Sequence, residues 1–572
     1  MIKGKLVLVL HSHLPYVIAH GKWPHGMDWI NEATAETYIP FLKVMDRLIS
    51  EGISPKITIG LTPVLSEMLA DEAFKYEFQD YLTTKIEAAQ ADAREFTRIG
   101  DSSRYELAVL WEGYYSDVRT YFNDALKRDI VGAYRKKQDD GHIEIITCAA
   151  THGYLPLLGE DTAVQAQIKL GVATYRKHYG RQPLGIWLPE CAYRPAYNWT
   201  PPVEGFGGPR LRKGVEEFLS ENGIQYFIVD SHLLKGGRSI GVYLDRFEAL
   251  KQLWKNFESQ YKPVEEDTEK SSHRLYYASS AQGKSPVAFF TRDPDTGIQV
   301  WSGEHGYPGD GSYLDFHKKH YPGGHRYWKV TSAKSDLADK QVYEPENVHG
   351  RILENAHHFK NLVRSICLSE DFKDGYTPIV CAPFDAELFG HWWFEGPQWL
   401  YAVLKEISLD PELSAATMQE CFEENPPQHI VSLPEGSWGQ GGFHWIWLND
   451  WTRWTWKHVY EDEKLMQEAA VKYADRTDEP AASLLKQLAR ELVLLESSDW
   501  QFLISTWSAR DYAEMRFTQH HEDFLLLLKL LNKAADGEAL SDEERESVKI
   551  IEERDKLFAD IEPKWWAEVE YK

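Results

Sequence analysis

Cysteine is scarce in this 572-residue chain: there are five, and no two are spaced as CxxC. An odd number cannot all pair, so a fully cross-linked scaffold is excluded, and a reducing cytoplasm is the expected setting. No apolar run reaches the roughly 18 residues that a membrane-spanning helix needs. The opening MIKGKLVLVLHSH meets histidines by position 11, too soon for a signal h-region with its cleavage site. Basic residues are outnumbered, 63 Lys and Arg against 88 Asp and Glu, which leaves a net charge of −25. That balance argues against nucleic acid or an anionic membrane as partner. A neutral ligand is compatible with it, and so is a monomer. A GxxxxGK(S/T) phosphate loop and a strand-borne GxGxxG are also missing, which removes two common nucleotide-binding classes.

What the chain has in excess is tryptophan, 21 residues. Many sit among glycines and polar residues: Trp392-Trp393, Trp438 before Gly439-Gln440-Gly441-Gly442, Trp445, Trp447, Trp451, Trp454 and Trp456. Some must be core, with Trp187 and Trp393 as candidates. Aromatic faces beside polar tips also suit a ligand with apolar and hydroxylated surfaces together, as a sugar has.

Five short apolar runs each end in polar residues. KLVLVL precedes His11-Ser12-His13, HIEIITCAA precedes Thr151-His152, and LGIWL precedes Pro189-Glu190. YFIVD precedes Ser231-His232, and TPIVCAPF precedes Asp385. KITIGLTP at 56–63 adds a sixth. Short runs rich in β-branched residues read as parallel strands buried on both faces. Helical stretches lie between them, including VQAQIKLGVATYRKHYG and LRKGVEEFLSENG, the latter with Gly223 as C-cap. Strand, polar end, helix, strand is the order of a parallel α/β barrel or a doubly wound sheet. In a barrel, chemistry gathers at the C-terminal strand ends. Residues 71–140 read as a charged helical insertion and residues 233–276 as a long loop. Residues 401–572 read as a mainly helical C-terminal domain beside a catalytic barrel at 1–400.

In GIWLPECAYRP, residues 185–195, an apolar run stops at a proline and a glutamate follows. A carboxylate in such surroundings is costly unless it is paired or used. Arg194 would supply a salt bridge; the alternative is catalysis. Asp385 ends its run in the same way (LPE and APFD), with Glu387 as a rival on the same face. Two carboxyls facing each other across a cleft are what glycoside chemistry requires. A second reading gathers His11, His13, His152, His232 and Asp385 around a metal ion, but leaves Glu190 without a task. Cys191 and Cys381 sit beside the acids in apolar settings and read as inert packing.

HSHLPYV, THGYLPLL, WLPECAY, APFDAELFGHWWFEG and ESSDWQFLISTWSARDYAEMRF occur in that order. They resemble the five signature regions of glycoside hydrolase family 57, most closely its α-1,4-glucan branching enzymes, from residue 7 to about residue 520. The resemblance implies a distorted seven-stranded (β/α) TIM-like barrel with an inserted helical segment and a C-terminal helical domain. It implies a cytoplasmic, retaining transglycosylase of glycogen biosynthesis with no metal or organic cofactor. Glu190 then looks like the nucleophile and Asp385 like the general acid/base. His11, His13 and His152 resemble the lining of the donor-sugar subsite. Trp301, Trp438 and Trp447 resemble aromatic platforms along an α-glucan groove, with Trp23 and Trp29 as weaker candidates. Asp499 and Trp500 would lie where the C-terminal domain closes that groove. Branching enzymes of the family carry a loop tyrosine that shields the intermediate from water; here Tyr243 is the first candidate and Tyr276 the second. An amylase-like hydrolase or a 4-α-glucanotransferase on the same scaffold is the alternative. A non-catalytic glucan-binding protein is disfavoured by the acids in both catalytic motifs.

Overall fold

Seven short, almost wholly buried runs form the parallel strands of one closed barrel: β1 Gly4–Ser12, β2 Ile57–Leu61, β3 Ile143–Cys148, β4 Ile186–Trp187, β5 Tyr226–Val229, β6 Ala288–Thr291 and β7 Ile379–Asp385. The structure is a computed structural model. It describes residues 2–237, 247–259, 261–262, 264–280, 286–302, 306–332 and 334–569. Hydrogen-bonded order runs β7-β1-β2-β3-β4, and β5 pairs β6, all parallel. Two single bridges close the circle, Gly185 to Tyr226 and Arg292 to Cys381. With β4 only two residues long and those joints so short, the barrel is distorted. β1 is buried along all nine residues, which explains why it reads as one continuous apolar run.

Six of the seven strands match the sequence expectation. The seventh, β6, is the run AFFT followed by Arg292-Asp293, the same strand-then-polar pattern in a shorter form. The helical stretches also form, as α3 Asp161–Tyr179 and α4 Val215–Glu221. Asn222 caps α4, and Gly223 follows with φ 76°.

The insertion is a helical hairpin, α1 Glu72–Ile99 and α2 Ser102–Thr120. Asp71 and Asp101 cap the two helices by accepting from the backbone N–H groups of Ala73 and Arg104. Gly100 turns the chain between them at φ 75°. The hairpin docks through Tyr327, whose hydroxyl donates to Asp92, and Trp111, whose indole donates to the Arg326 carbonyl.

The long segment at 233–276 is not only a loop. It contains the amphipathic helix α5 Glu248–Phe257. Phe247 packs edge-on against Phe502 (5.8 Å), while Trp254 and Phe257 pack on Trp445 (5.6 and 5.8 Å). Beyond residue 400 a strand at Leu413–Ala415 still pairs with β1. The helices α6 Arg453–Tyr473, α7 Ala481–Leu495, α8 Asp499–Thr506, α9 Arg510–Ala535 and α10 Asp542–Arg554 follow. Among the described residues, no helix is long and apolar enough to cross a membrane.

Candidate active site

Because the seven strands are parallel, their C-terminal ends open on one side of the barrel, and each delivers a polar residue there: His11, Thr62, His152, Glu190, Asp230, Arg292 and Asp385. Glu190 follows β4 in a tight turn at φ 60°, ψ 25°, with Cys191 also left-handed. Such a conformation is costly for a side chain and concentrates at functional positions. Segment 436–438 lies antiparallel along this turn. Gly436 and Tyr193 exchange backbone hydrogen bonds, and the Trp438 N–H donates to the Glu190 carbonyl at 3.1 Å. The same register brings the Trp438 indole N–H to Glu190 Oε2 at 2.7 Å.

Burial pushes the Glu190 carboxyl up to about 8. The Trp438 hydrogen bond works in the opposite direction, and the charges of Asp385 and Asp499 add to the rise. Glu190 and Asp385 therefore feel each other across the barrel mouth, and each disfavours the charge of the other. Arg194 does not pair with Glu190. It is fully buried, and Asp161 lies 3.8 Å from its guanidinium. Glu387 accepts from Tyr38 and from the His13 backbone N–H (3.1 Å). Burial, with Asp385 adding, pushes it up to about 8 as well. Its oxygen is thus spent on anchoring the β1 loop.

His11, His13 and His152 form one cluster. His11 Nε2 and His152 Nε2 are 3.1 Å apart, and the rings of His13 and His152 stack at 4.0 Å. Trp187 lies flat on His11 at 4.4 Å. Burial lowers both His11 and His152 well below the usual range, so their rings are neutral. His13 Nε2 meets Asp499 Oδ2 at 2.8 Å, and His152 Nδ1 meets Ser498 Oγ at 2.8 Å. Burial opposes ionisation of Asp499, but His13, with help from His152 and Ser497, holds that carboxyl below its ordinary value. Both ring nitrogens of His13 and of His152 thus have protein partners. The five-ligand metal set is not assembled, because the His232 ring faces Asp230 (3.7 Å) and the Gly442 carbonyl (3.4 Å).

The expected aromatic platforms differ most from the sequence reading. Trp301, Trp438, Trp447 and Trp500 are each exposed by 1% or less, so none offers an open ring face. Trp438 stands edge-on to Trp187 and Trp301, and its polar edge serves Glu190. Trp447 packs on Tyr154 at 4.6 Å. Trp500 is core: its indole donates to the Leu494 carbonyl, and Arg516 lies over its ring. Trp29 is partly buried against Tyr512 (5.5 Å), while Trp23 is 73% exposed. Tyr243 lies outside the described residues. Tyr276 is a buried strand residue stacked on Phe289, with its hydroxyl accepting from the Ser271 N–H, and is not at a loop tip. All five cysteines are buried, and burial raises the Cys191 and Cys381 thiols well above their usual range, which leaves them inert.

Two residues were missed from sequence. Asp230 and Arg292, both fully buried, form an ion pair at 2.6 Å beneath the site. The Arg292 guanidinium lies 5.5 Å from the centre of the Trp438 ring. Burial alone would raise Asp230; Arg292, His232 and the Ser231 N–H together overcome it and hold the carboxyl down to about 2. The pair is the floor under the indole that contacts Glu190.

The sequence matches the glycosyl hydrolase family 57 domain over residues 7–434 and the 1,4-alpha-glucan branching enzyme C-terminal domain over residues 458–566. It is 42% identical over 564 residues to a 1,4-alpha-glucan branching enzyme of Thermococcus kodakarensis, covering 98% of this chain and 78% of that protein. The fold superposes on the crystal structure of the GH57-type branching enzyme from Pyrococcus horikoshii with a TM-score of 0.88 at 40% identity, over 100% of this chain and 98% of that one. It also superposes on the alpha-amylase AmyC from Thermotoga maritima with a TM-score of 0.79 at 28% identity, over 99% and 100% of the two chains.

Proposed function

The chain belongs to glycosyl hydrolase family 57, and from that premise we propose that it is a 1,4-α-glucan branching enzyme whose retaining chemistry is carried by Glu190 and Asp385. The observation that supports those roles is the placement of Glu190 and Asp385 at two strand ends of one barrel mouth, close enough for the charge of Asp385 to raise Glu190. Asp385 protonates the glycosidic oxygen of an α-1,4 bond while Glu190 attacks C1, leaving a glycosyl ester on Glu190. Asp385, now a carboxylate, takes the proton of an acceptor 6-hydroxyl, which displaces Glu190 and forms an α-1,6 branch. The Trp438 N–H stabilises the charged form of Glu190 before attack and again as it leaves. His11, His13, His152 and Asp499 line the donor-sugar subsite as a hydrogen-bonded wall. Without substrate, burial and the neighbouring carboxylates raise Glu190. Positive charge developing at C1 draws the proton toward Asp385.

Transfer requires that water lose to the acceptor hydroxyl. The segment beyond residue 434 supplies Trp438, Ser498 and Asp499 to the site, which favours a covered intermediate. We place the domain division after the strand at 413–415: a barrel to about residue 434, then a helical domain that completes the groove. A cytoplasmic monomer is the setting that the composition favours, and the likeness to branching enzymes adds glycogen biosynthesis as its role. The second reading is an α-1,4-glucan hydrolase, which the likeness to AmyC favours. Amylose incubated with the enzyme separates the two. Branching predicts many chains released by a later debranching treatment and few new reducing ends; hydrolysis predicts the reverse.

A further inference from the structure

Trp451 and Trp507 form an aromatic pair apart from the barrel mouth. Their rings lie 5.0 Å apart at 37°. Trp507 is 48% exposed, and Trp451 is only partly buried. Trp507 ends α8 in the left-handed conformation, φ 58° and ψ 15°. Glycine is the usual residue at such a helix end, and a bulky side chain there is strained. One residue thus combines a strained backbone with a large aromatic side chain that is half exposed to solvent.

The pair is held rigidly. Asn449 Nδ2 donates to Ser505 Oγ on α8 (2.9 Å), and Asn449 Oδ1 accepts from the Trp451 N–H (2.9 Å). The turn carrying Trp451 is therefore tied to the helix carrying Trp507. That helix begins at Asp499, the partner of His13. Eight residues at a rise of about 1.5 Å each set Trp507 roughly 12 Å along the helix axis from the site.

We propose that Trp451 and Trp507 form an outlying subsite for an α-1,4-glucan chain, holding glucose rings at a distance from the bond being cut. The proposal rests on the branching-enzyme reading. The apolar CH face of a glucose ring lies against an indole while its hydroxyls stay in water. Two faces tilted by 37° follow the turn between successive rings of a coiled α-1,4 chain better than the flat ribbon of a β-linked one. Rigid spacing from Asp499 would give one chain hold of both places.

The test uses the full-length enzyme with W507G, W507F and W451A. Retention is read in native gels containing glycogen or amylopectin, with branch formation assayed on the same samples. W507G and W451A are expected to weaken retention about tenfold, the order of one lost aromatic contact, and to raise KM for amylose more than KM for a short maltooligosaccharide. W507F should keep most of the retention. Glycine relieves the left-handed strain, so the Tm of W507G should not fall, which separates lost binding from misfolding. Wild-type retention in both W507G and W451A overturns the proposal. So does a change in sedimentation without a change in retention, which would make the pair a contact between copies. If the wild type is retained and W507G is not, yet no branches form, the subsite stands and the branching reading falls.

Discussion

Glu190 depends on one hydrogen bond for much of its readiness. Burial raises it, the like charges of Asp385 and Asp499 raise it further, and the Trp438 N–H pulls the other way. W438F keeps a buried ring against Trp187 and Trp301 but removes the donor. Glu190 should then ionise at higher pH. Since attack needs the carboxylate, the acid limb of the kcat/KM profile should move up by about one pH unit, the size expected of one hydrogen bond to a charged group. An unmoved limb would mean that the indole is only packing. At this scale the acids were legible, because a carboxylate at the end of an apolar run has to be explained. The tryptophans were not. Trp438 and Trp447 sit among glycines in the sequence, yet the glycine-rich chain folds their rings inward against Trp187 and Tyr154. Composition cannot separate an open face from a packed one.

Among the elements, six strands showed as apolar runs with polar ends, and β6 escaped because AFFT is short and follows a polar stretch. That omission hid Arg292, and with it the partner of Asp230. The two strands β5 and β6 meet beneath Trp438 through this ion pair. Removing one partner strands a buried charge, so R292M should destabilise the fold by about 3–5 kcal/mol. Replacing both, as D230L/R292M, should recover most of that stability. The kcat of the double variant should nevertheless stay low and its acid limb stay shifted, because the floor under Trp438 is gone. Full recovery of kcat with stability would reduce the pair to a purely structural role. The segment at 233–276 was misread for a related reason. Its helix α5 is charged on one face, and only the partners Trp445 and Phe502, some 190 to 250 residues further along, show that its other face is covered.

Across the whole molecule, the site is assembled from parts remote in sequence. Seven strand ends supply the chemistry, and the segment beyond residue 434 supplies Trp438, Ser498 and Asp499. Local pattern predicts each strand but not its neighbours, so barrel closure followed from the resemblance of five ordered motifs and not from periodicity. The central claim is that one carboxyl of this assembly, Glu190, becomes a glycosyl ester and passes its sugar on. The most direct measurement is covalent trapping. D385A, which slows the second step by removing the general base, would be mixed with an activated α-maltosyl fluoride, quenched in acid, digested and mapped by mass spectrometry. A glycosyl adduct on the peptide containing Glu190, chased away by added maltooligosaccharide acceptor, is the predicted result. An adduct on the peptide containing Glu387, or no adduct while products still form, would contradict the account.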